Sequence, residues 1–281
     1  MKPTLKVFLA ILLVASLTIS CGTAYTQKRT PDVHFETTPQ SVVEEMLQMA
    51  GVTKDDIVYD LGCGDGRFVI TAAQKFGARG VGIDIDPKRV KESRENAIEA
   101  GVIGRVQIIE DDLFTTNISE ATVITLYLLR DLNLKLRPKL LRELKPGTRI
   151  LSYVFDMGDW EPDDKVNHIF NYWIIPAQVA GTWRWSLSTP KGERQYNLNL
   201  KQEFQKVTGQ VTIPEGREIR ITETKLTGDR LSFKVRFDDV NRQRVVMEFN
   251  GRASGNVMEG KVVVAGGSFS GSHSWAAQRH P

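Results

Sequence analysis

Cysteine is scarce in this chain of 281 residues, which contains only Cys21 and Cys63. Two cysteines cannot build the set of bridges that holds small secreted domains together, so a disulfide scaffold is excluded. The net charge of +3 is too small to indicate nucleic-acid binding by itself. The four histidines show no ligand-like spacing, so no metal site is expected. Core-forming residues are plentiful: 41% of the chain is hydrophobic and 25% is charged, and the length fits one large domain or, more naturally, two.

The N-terminus has the pattern of a targeting segment. Lys2 and Lys6 precede an apolar run over residues 7–19, which is too short for a comfortable membrane span and has the length of a signal peptide. The run ends just before Cys21, in a pattern that resembles a bacterial lipobox. We therefore predict a signal peptide with a lipobox over residues 1–21, a polar linker over residues 22–32, and association with a membrane on a side that the sequence does not indicate. The alternative is an uncleaved anchor with an incidental cysteine.

The central motif is a glycine-rich segment that follows a short apolar run. The run at residues 57–61 leads into Asp60-Leu61-Gly62-Cys63-Gly64-Asp65-Gly66, after which apolar residues recur with helical spacing. This pattern predicts a strand, a tight turn and a helix, and the glycines let the backbone take positive φ and approach a ligand closely. A second apolar run at residues 80–83 ends in Asp84 and Ile85, where a βαβ unit that binds a nucleoside places its ribose-binding carboxylate. A plain glycine-rich turn is the alternative.

The spacing of these glycines indicates a ligand without phosphate. It is Asp-x-Gly-x-Gly-x-Gly, and not the Gly-x-Gly-x-x-Gly that holds a pyrophosphate at a helix N-terminus. An acid directly before the first glycine would repel phosphates and suits a cationic ligand. S-Adenosylmethionine is such a ligand, since it carries a sulfonium and an ammonium group and has no phosphate. At these residues the sequence resembles the class I S-adenosylmethionine-dependent methyltransferases.

The resemblance implies a set of cofactor-binding residues and S-adenosylmethionine as the cofactor. The set comprises Asp60, Gly62, Cys63, Gly64 and Gly66 in the glycine loop, Asp84 and Ile85 after the second strand, and Asp112 and Leu113 after a third strand at residues 106–110. In this family the acid after the third strand accepts a hydrogen bond from the adenine amino group, and the next apolar side chain packs on the ring. Asp111 is the rival for that hydrogen bond, and a solvated strand end is the alternative for the three acids at residues 110–112.

A fourth strand and its exit are predicted at residues 121–129. Ligands of open α/β sheets bind outside the carboxyl ends of the strands, near the switch in strand order, so we expect Thr125 and Tyr127 to face the reacting methyl group as the catalytic residues. The alternative for Tyr127 is packing against the next helix. The resemblance implies an α/β fold, a Rossmann-like seven-stranded methyltransferase sheet, over residues 33–180.

Several segments together resemble one subgroup of this class, the small protein-lysine methyltransferases. The subgroup includes archaeal broad-specificity enzymes and mitochondrial enzymes that act on the c-ring protein of ATP synthase and on the adenine nucleotide translocase. The matching segments are residues 38–43, 60–67, 122–128, 136–140, 144–147 and 158–160. Within the first of them, Thr38 is predicted as a helix N-cap. The family often has an aromatic-Val-Pro segment just before it, whereas Phe35-Glu36-Thr37 stands here, so a loop that would close over cofactor or substrate is altered.

The last hundred residues change to a two-residue alternation of apolar and polar side chains. Alternating runs separated by turns at roughly 8–12-residue intervals indicate an antiparallel meander, and turns such as Asn250-Gly251 and Glu259-Gly260 fit hairpins. Closure into a barrel is favoured over an open sheet because closure removes exposed edges. We predict a lipocalin-like antiparallel β-barrel over residues 181–281, with a binding or scaffolding role and a small apolar ligand as a possible occupant.

The predicted function is methyl transfer from S-adenosylmethionine, and the resemblance implies a protein lysine, in a protein that can itself be membrane-embedded, as the acceptor. No nucleic-acid target is expected, because the Asn/Asp-Pro-Pro-aromatic motif of amino-group methylases is absent and Thr125-Leu126-Tyr127-Leu128 stands in its place. Two alternatives stay open. One is an exported lipoprotein that binds a ligand through its barrel and keeps an inactive methyltransferase scaffold, since a lipobox implies export whereas S-adenosylmethionine is made in the cytosol. The other is a small-molecule methyltransferase whose barrel holds an apolar substrate.

Overall fold

The structure is a computed structural model that describes residues 30–189, 192–267 and 269–280. The predicted signal peptide with Cys21 and most of the predicted linker lie outside the described residues. In the part of the chain that is described, no helix is both long enough and apolar enough to cross a membrane.

Strands and helices alternate through the first part of the chain and build one mixed sheet. The helices are α1 (Gln40–Met49), α2 (Arg67–Phe76), α3 (Pro87–Glu99) and α4 (Arg130–Glu143). The strands are β1 (Ile57–Leu61), β2 (Arg79–Asp84), β3 (Val106–Glu110), β4 (Val123–Leu126), β5 (Arg149–Tyr153), β6 (Asp164–Val166) and β7 (Phe170–Ile174).

The order of these strands is β3-β2-β1-β4-β5-β7-β6. Strands β3, β2, β1, β4 and β5 are parallel, whereas β7 runs antiparallel to β5 and to β6. The chain adds β2 and β3 on one side of β1 and then crosses over to add β4 and β5 on the other side. Strand order therefore switches between β1 and β4, where open α/β sheets bind their ligands. The predicted seven-stranded α/β sheet is confirmed.

Apolar side chains cover both faces of this sheet, as expected for parallel strands between helices. On one face Leu61 and Ile124 belong to a buried cluster that includes Leu136 of α4. On the other face Val58 packs in a cluster with Leu47 of α1. These two layers hold the carboxyl ends of β1 and β4 rigidly next to each other.

Helix α1 begins one residue later than predicted. Pro39 is its N-cap, with φ −54° and ψ 142°, and the Pro39 carbonyl accepts hydrogen bonds from the backbone N–H groups of Val42 and Val43 at 3.0 and 3.1 Å. The prediction of Thr38 as the N-cap is wrong. Thr38 is buried outside the helix, where its carbonyl accepts a hydrogen bond from the guanidinium of Arg67. This bond ties the chain before α1 to the start of α2.

The remaining strands form a second sheet that is antiparallel throughout. They are β8 (Gly181–Thr189), β9 (Gly192–Glu203), β10 (Lys206–Thr212), β11 (Glu218–Arg220), β12 (Thr222–Thr227), β13 (Arg230–Asp238), β14 (Arg244–Ser254), β15 (Val257–Ala265) and β16 (Gly271–His280). Their order is β11-β10-β9-β8-β16-β15-β14-β13-β12. The two ends approach each other, since Ile221 N donates to the Gly209 carbonyl at 3.0 Å and Thr224 Oγ1 donates to the Val207 carbonyl at 2.8 Å. The predicted antiparallel, nearly closed barrel is confirmed.

Inward-facing side chains fill this barrel. Trp183, Tyr196, Phe233 and Phe249 are each less than 2% exposed. The rings of Phe233 and Phe249 are stacked with their centroids 4.6 Å apart. The small apolar ligand predicted for the barrel stays a prediction.

The barrel contacts the first sheet through its turns. The backbone N–H of Ala177 donates to the Gly228 carbonyl, in the turn between β12 and β13, at 2.8 Å. The ring of Phe204, between β9 and β10, is stacked on Trp160 with the centroids 5.7 Å apart. Arg137 of α4 lies over the same Phe204 ring at 5.2 Å. The turn between β9 and β10 therefore packs against the α4 side of the first sheet.

Candidate active site

A cavity lies at the carboxyl ends of β1 and β4, at the switch in strand order. The predicted site residues that line it are Asp60, Gly62, Cys63, Asp84, Ile85, Asp112, Leu113 and Tyr127. The predicted site residues that do not line it are Gly64, Gly66, Asp111 and Thr125. Residues 31–36, called the strap below, form another part of its wall. The sequence therefore located the cavity but did not separate wall residues from supporting ones.

Asp60, near the end of β1, carries a buried carboxyl group. It is 4% exposed, and its Oδ1 accepts a hydrogen bond from Thr125 Oγ1 at 2.7 Å. The pKa of Asp60 is raised to about 8, chiefly by burial; the Thr125 hydrogen bond opposes this shift, and the carboxylates of Asp65 and Asp84 add to it. A cation bound beside Asp60 would favour the ionised carboxylate. Asp60 is therefore suited to a positively charged ligand.

Asp84 ends β2 and joins that strand to the glycine loop. Its Oδ2 accepts a hydrogen bond from Gly64 N, and its Oδ1 accepts one from Asp86 N, each at 2.9 Å. Burial raises the pKa of Asp84, and these two backbone hydrogen bonds oppose the shift. The bonds fix the carboxylate at the cavity wall, while each oxygen keeps a lone pair that a ligand hydroxyl can use.

The glycine loop needs its glycines for conformation and for packing. Gly62, Gly64 and Gly66 have φ of +86°, +55° and +81°, a region in which side chains are strained. A Cβ on Gly66 would lie 3.0 Å from the Cβ of Ser93 on α3, so this glycine lets the loop pack closely against α3. Gly66 supports the loop from behind and does not form the cavity wall.

Phe35 covers the glycine loop, a contact that the sequence did not reveal. A Cβ on Gly64 would overlap the Phe35 ring. The guanidinium carbon of Arg89 lies 4.6 Å from the centroid of the same ring. The strap thus crosses the loop with Phe35 against its main chain. The aromatic residue ahead of Thr38 was a signal for an altered loop, but it did not indicate this partner.

Arg67 is a second wall residue that was missed. It begins α2, directly after the last glycine, and it lines the cavity. Its guanidinium forms an ion pair with Asp65 and donates to the Thr38 carbonyl. Arg67 therefore holds the glycine loop against the segment before α1. Its place next to the motif was the available signal.

Of the two rival acids after β3, Asp112 lines the cavity and Asp111 does not. The oxygens of Asp111 accept hydrogen bonds from Asp112 N and from Thr116 Oγ1, both at 2.8 Å. Asp112 Oδ1 accepts a hydrogen bond from Phe114 N at 2.9 Å, in a turn that also brings Leu113 to the cavity wall. The geometry favours Asp112 over Asp111 for contact with a ligand.

Thr125 and Tyr127, which were both expected to face the reacting group, lie in different places. Thr125 is paired in register with Asp60 across β4 and β1, so its hydroxyl meets that carboxylate, and it is fully buried. The expectation that Thr125 faces the cavity is therefore corrected. Tyr127, one residue past β4, does line the cavity. The Tyr127 ring centroid lies 4.9 Å from that of Tyr153 and 6.4 Å from that of Phe155.

The groups on the wall fit S-adenosylmethionine. The buried carboxyl of Asp60 suits an ammonium group, and the fixed carboxylate of Asp84 suits a pair of hydroxyls. Leu113 supplies an apolar surface for a purine. The two arginines of the wall, Arg67 and Arg89, are each ion-paired with an acid, so they are not available as a phosphate site.

Comparison with known proteins establishes the family. The sequence profile of the ANTKMT methyltransferase domain matches residues 60–164. A protein-lysine N-methyltransferase from Saccharolobus islandicus is 45% identical over 153 residues, which are 52% of this chain and 95% of that protein. The chain belongs to this methyltransferase family. The lysine N-methyltransferase of Homo sapiens that is named for the c-ring protein of ATP synthase is 34% identical over 153 residues, which are 54% of this chain and 61% of the human protein.

A solved structure is similar to the same half of the methyltransferase. It is an RNA methyltransferase from Salinibacter ruber in complex with S-adenosyl-L-homocysteine, with 52% identity and a TM-score of 0.51. The match covers 51% of this chain and 96% of that chain. The protein is thus an S-adenosylmethionine-dependent methyltransferase, and the predicted cofactor is confirmed. The family profile ends at residue 164, before the first strand of the barrel.

Proposed function

We propose that this enzyme transfers the methyl group of S-adenosylmethionine to the ε-amino group of a lysine in a membrane-associated protein. The observation that carries this proposal is the 45% identity to the Saccharolobus islandicus protein-lysine N-methyltransferase, matched over 95% of its length. The name of the human relative gives a lysine of the ATP synthase c-ring protein as its substrate.

Each cavity acid has a separate role toward the donor in this proposal. Asp60 holds the ammonium group, and Asp84 accepts hydrogen bonds from the ribose hydroxyls. Asp112 accepts a hydrogen bond from the adenine amino group, while Ile85 and Leu113 pack against the ring. Support comes from the position of all five residues on the cavity wall. The acids act as fixed acceptors, so the donor is oriented before any acceptor arrives.

The acceptor amine approaches from the side of Tyr127. The rings of Tyr127, Tyr153 and Phe155 lie side by side there, and aromatic faces attract alkylammonium groups. A lysine amine has to lose a proton before it attacks, since its unperturbed pKa is about 10.4. Burial against the rings favours the neutral amine, and the Tyr127 hydroxyl can accept a hydrogen bond from it. Transfer is an in-line displacement, so positioning supplies most of the acceleration.

The membrane part of the proposal rests on the N-terminal pattern and on the strap. Residues 31–36 line the active-site cavity. The predicted lipidated residue, Cys21, lies ten residues before Pro31 in the sequence. A fully extended segment of that length spans at most about 35 Å. An anchor at Cys21 would therefore keep the active site within reach of proteins in the same membrane.

RNA is the second candidate acceptor, because the Salinibacter ruber structure is that of an RNA methyltransferase. Charge is distributed unevenly in this respect. Residues 33–180 carry 17 Lys and Arg and 23 Asp and Glu, whereas residues 181–281 carry 16 Lys and Arg and 10 Asp and Glu. The half that contains the active site is thus acidic, which disfavours a phosphate backbone at the cavity. We place RNA second for this reason.

A single transfer assay separates these acceptors. Radiolabelled S-adenosylmethionine is incubated with the enzyme and, in parallel, with a membrane fraction, total RNA and small apolar amines. The proposal expects label in protein as methyllysine, lost in Asp60→Asn and Asp84→Asn and kept in Asp111→Asn, whose side chain lies outside the cavity. Label in RNA or in a small molecule instead would overturn the proposed acceptor.

The inactive-scaffold alternative is tested by the side of the membrane on which the enzyme lies. Protease added to intact spheroplasts digests an exported chain and spares a cytosolic one. An active enzyme with a cytosolic donor is expected to be protected. Digestion, combined with purified protein that binds no donor, would favour the exported lipoprotein with a ligand in its barrel.

A further inference from the structure

An exposed apolar surface surrounds the entrance of the active-site cavity. Among the described residues, eight large hydrophobic side chains are exposed, and four of them lie at this edge of the sheet. They are Phe35 (39% exposed), Leu129 (51%), Val154 (43%) and Ile169 (37%), together called the apolar rim below. Scattered single hydrophobic residues on a surface need no explanation, but a group around an entrance indicates an interaction site.

Backbone contacts show that the members of the apolar rim are neighbours. The backbone N–H of Val154 donates to the Ile169 carbonyl at 2.6 Å, just past the ends of β5 and β7. Leu129 follows β4, which is paired with β5. Phe35 lines the same cavity as Tyr127 and Leu128, the residues between β4 and Leu129. The rim is thus one surface at the carboxyl ends of the strands.

Val154 occupies its exposed place against its own conformational preference. Its φ is +68°, a value that β-branched residues almost never adopt. The fully buried Asn171 helps to hold it there, since Asn171 Nδ2 donates to the carbonyls of Val154 and Phe155 at 3.3 Å. Ser152 Oγ also donates to the Phe155 carbonyl, at 2.7 Å. A buried polar network thus imposes a strained backbone whose result is a valine in solvent, which indicates function.

The chain that precedes the described residues indicates what the rim contacts. The strap begins at residue 31 and contains Phe35, so the N-terminal segment reaches the protein at the rim itself. The apolar run at residues 7–19 lies only about a dozen residues upstream, within about 40 Å of extended chain. A lipid-anchored or membrane-inserted N-terminus would therefore hold the rim, and no distant surface, against the bilayer.

We propose that the apolar rim inserts into the surface of the lipid bilayer, with the active-site cavity opening toward the membrane. This inference rests on the membrane association in the proposed function and adds the orientation of the enzyme. The other four exposed hydrophobic residues give built-in controls. Ile98 and Ile103 lie near the far end of α3, and Val240 and Val263 lie on the barrel.

The test uses the full-length chain on protein-free vesicles of phosphatidylcholine and phosphatidylglycerol. Leu129→Cys and Ile169→Cys are labelled with a polarity-sensitive fluorophore, and Ile98→Cys and Val263→Cys are the matched controls. The parent chain, labelled in the same way, gives the background from Cys21 and the buried Cys63. Vesicles carrying a nitroxide quencher in their acyl chains are expected to quench the probes at 129 and 169 at least twofold, and the probes at 98 and 263 by less than a fifth.

Two results would overturn the inference. If the chain floats with the vesicles while the probes at 129 and 169 behave like the controls, the rim does not insert. The same outcome would indicate that the rim meets an apolar protein segment, because these vesicles contain no protein. If the chain does not float at all, membrane association itself fails. Lysine methylation is measured separately, so either failure is distinguishable from failure of the proposed reaction.

Discussion

The indole Nε1 of Trp160 donates a hydrogen bond to Oε1 of Gln205 at 3.0 Å, which links the two sheets of the protein. Trp160 is fully buried, and Gln205 Nε2 donates in return to the Glu161 carbonyl at 2.7 Å. The neighbouring Phe204 has φ +52°, a left-handed conformation that places its ring on Trp160. The turn between β9 and β10 thus fixes the segment that follows β5, whose first residues belong to the acceptor side of the active site.

We expect Gln205→Ala to destabilise the enzyme. The change leaves the buried Trp160 N–H without a partner, which costs about 1–3 kcal/mol. Gln195→Ala, at an exposed position of β9, is the matched control and is expected to change stability by less than about 0.5 kcal/mol. Urea unfolding followed by tryptophan fluorescence measures both. Equal stability of the two variants would contradict the role given to this contact.

Asp60 makes the stability of the donor-free enzyme depend on pH. Its folded pKa of about 8 lies above the ordinary value of 3.8, so between these two values the folded state binds the extra proton. Stability from this group is therefore present at low pH and is lost as the pH rises toward 8. Asp60→Asn removes the titration and is expected to raise stability at pH 8, by on the order of 3 kcal/mol, with little effect at pH 4. Thermal unfolding at both pH values checks this, and an equal shift at both would contradict it.

Thr125→Val is expected to weaken donor binding although Thr125 does not line the cavity. The change removes the hydrogen bond to Asp60 that opposes the upward shift of its pKa. A larger fraction of Asp60 is then protonated at pH 7, and we expect about a tenfold loss of affinity, which corresponds to about 1.4 kcal/mol. Thr125→Ser keeps the hydroxyl and is the control. Calorimetric titration between pH 6 and 8 should show a shifted pH profile in the valine variant alone; parallel profiles would rule out a positioning role.

The contact between Phe35 and Gly64 can be tested by a double variant. Gly64→Ala places a methyl group into the Phe35 ring at a φ of +55°, so donor affinity is expected to fall at least tenfold. Phe35→Ala combined with Gly64→Ala should restore part of that loss, because the overlap is removed while the backbone strain remains. Gly101→Ala has φ +69° with nothing near its added methyl, and it controls for strain alone. No recovery in the double variant would show that the strap does not limit access to the loop.

Local pattern was enough to predict much of the fold. The apolar run, the glycine spacing and the acid at Asp84 identified β1, the loop and β2, because a βαβ unit is built from residues close in sequence. Two-residue alternation identified the barrel for the same reason. The strap was harder, since the phenylalanine was visible but its partner Gly64 is set by how the chain folds back.

Contacts between distant segments were not predictable from one sequence. The direction of the Thr125 hydroxyl depends on the register between β4 and β1, which no local pattern encodes. The left-handed φ of Val154 arises from buried partners on other elements, and a valine in the sequence favours extended strand instead. Likewise, Trp160 gave no sign that its hydrogen-bond partner would be Gln205 of the barrel.

The most direct test of the account is calorimetric titration of the enzyme with S-adenosylmethionine and with its demethylated product, in wild type and Asp60→Asn. The wild type is expected to bind both ligands and, at pH 7, to release a proton on binding the donor, since a cation draws Asp60 into its ionised form. Asp60→Asn is expected to stay folded and to bind the donor at least thirtyfold more weakly, without proton release. Absence of heat from either ligand with folded wild type, or equal affinity in the variant, would contradict the account.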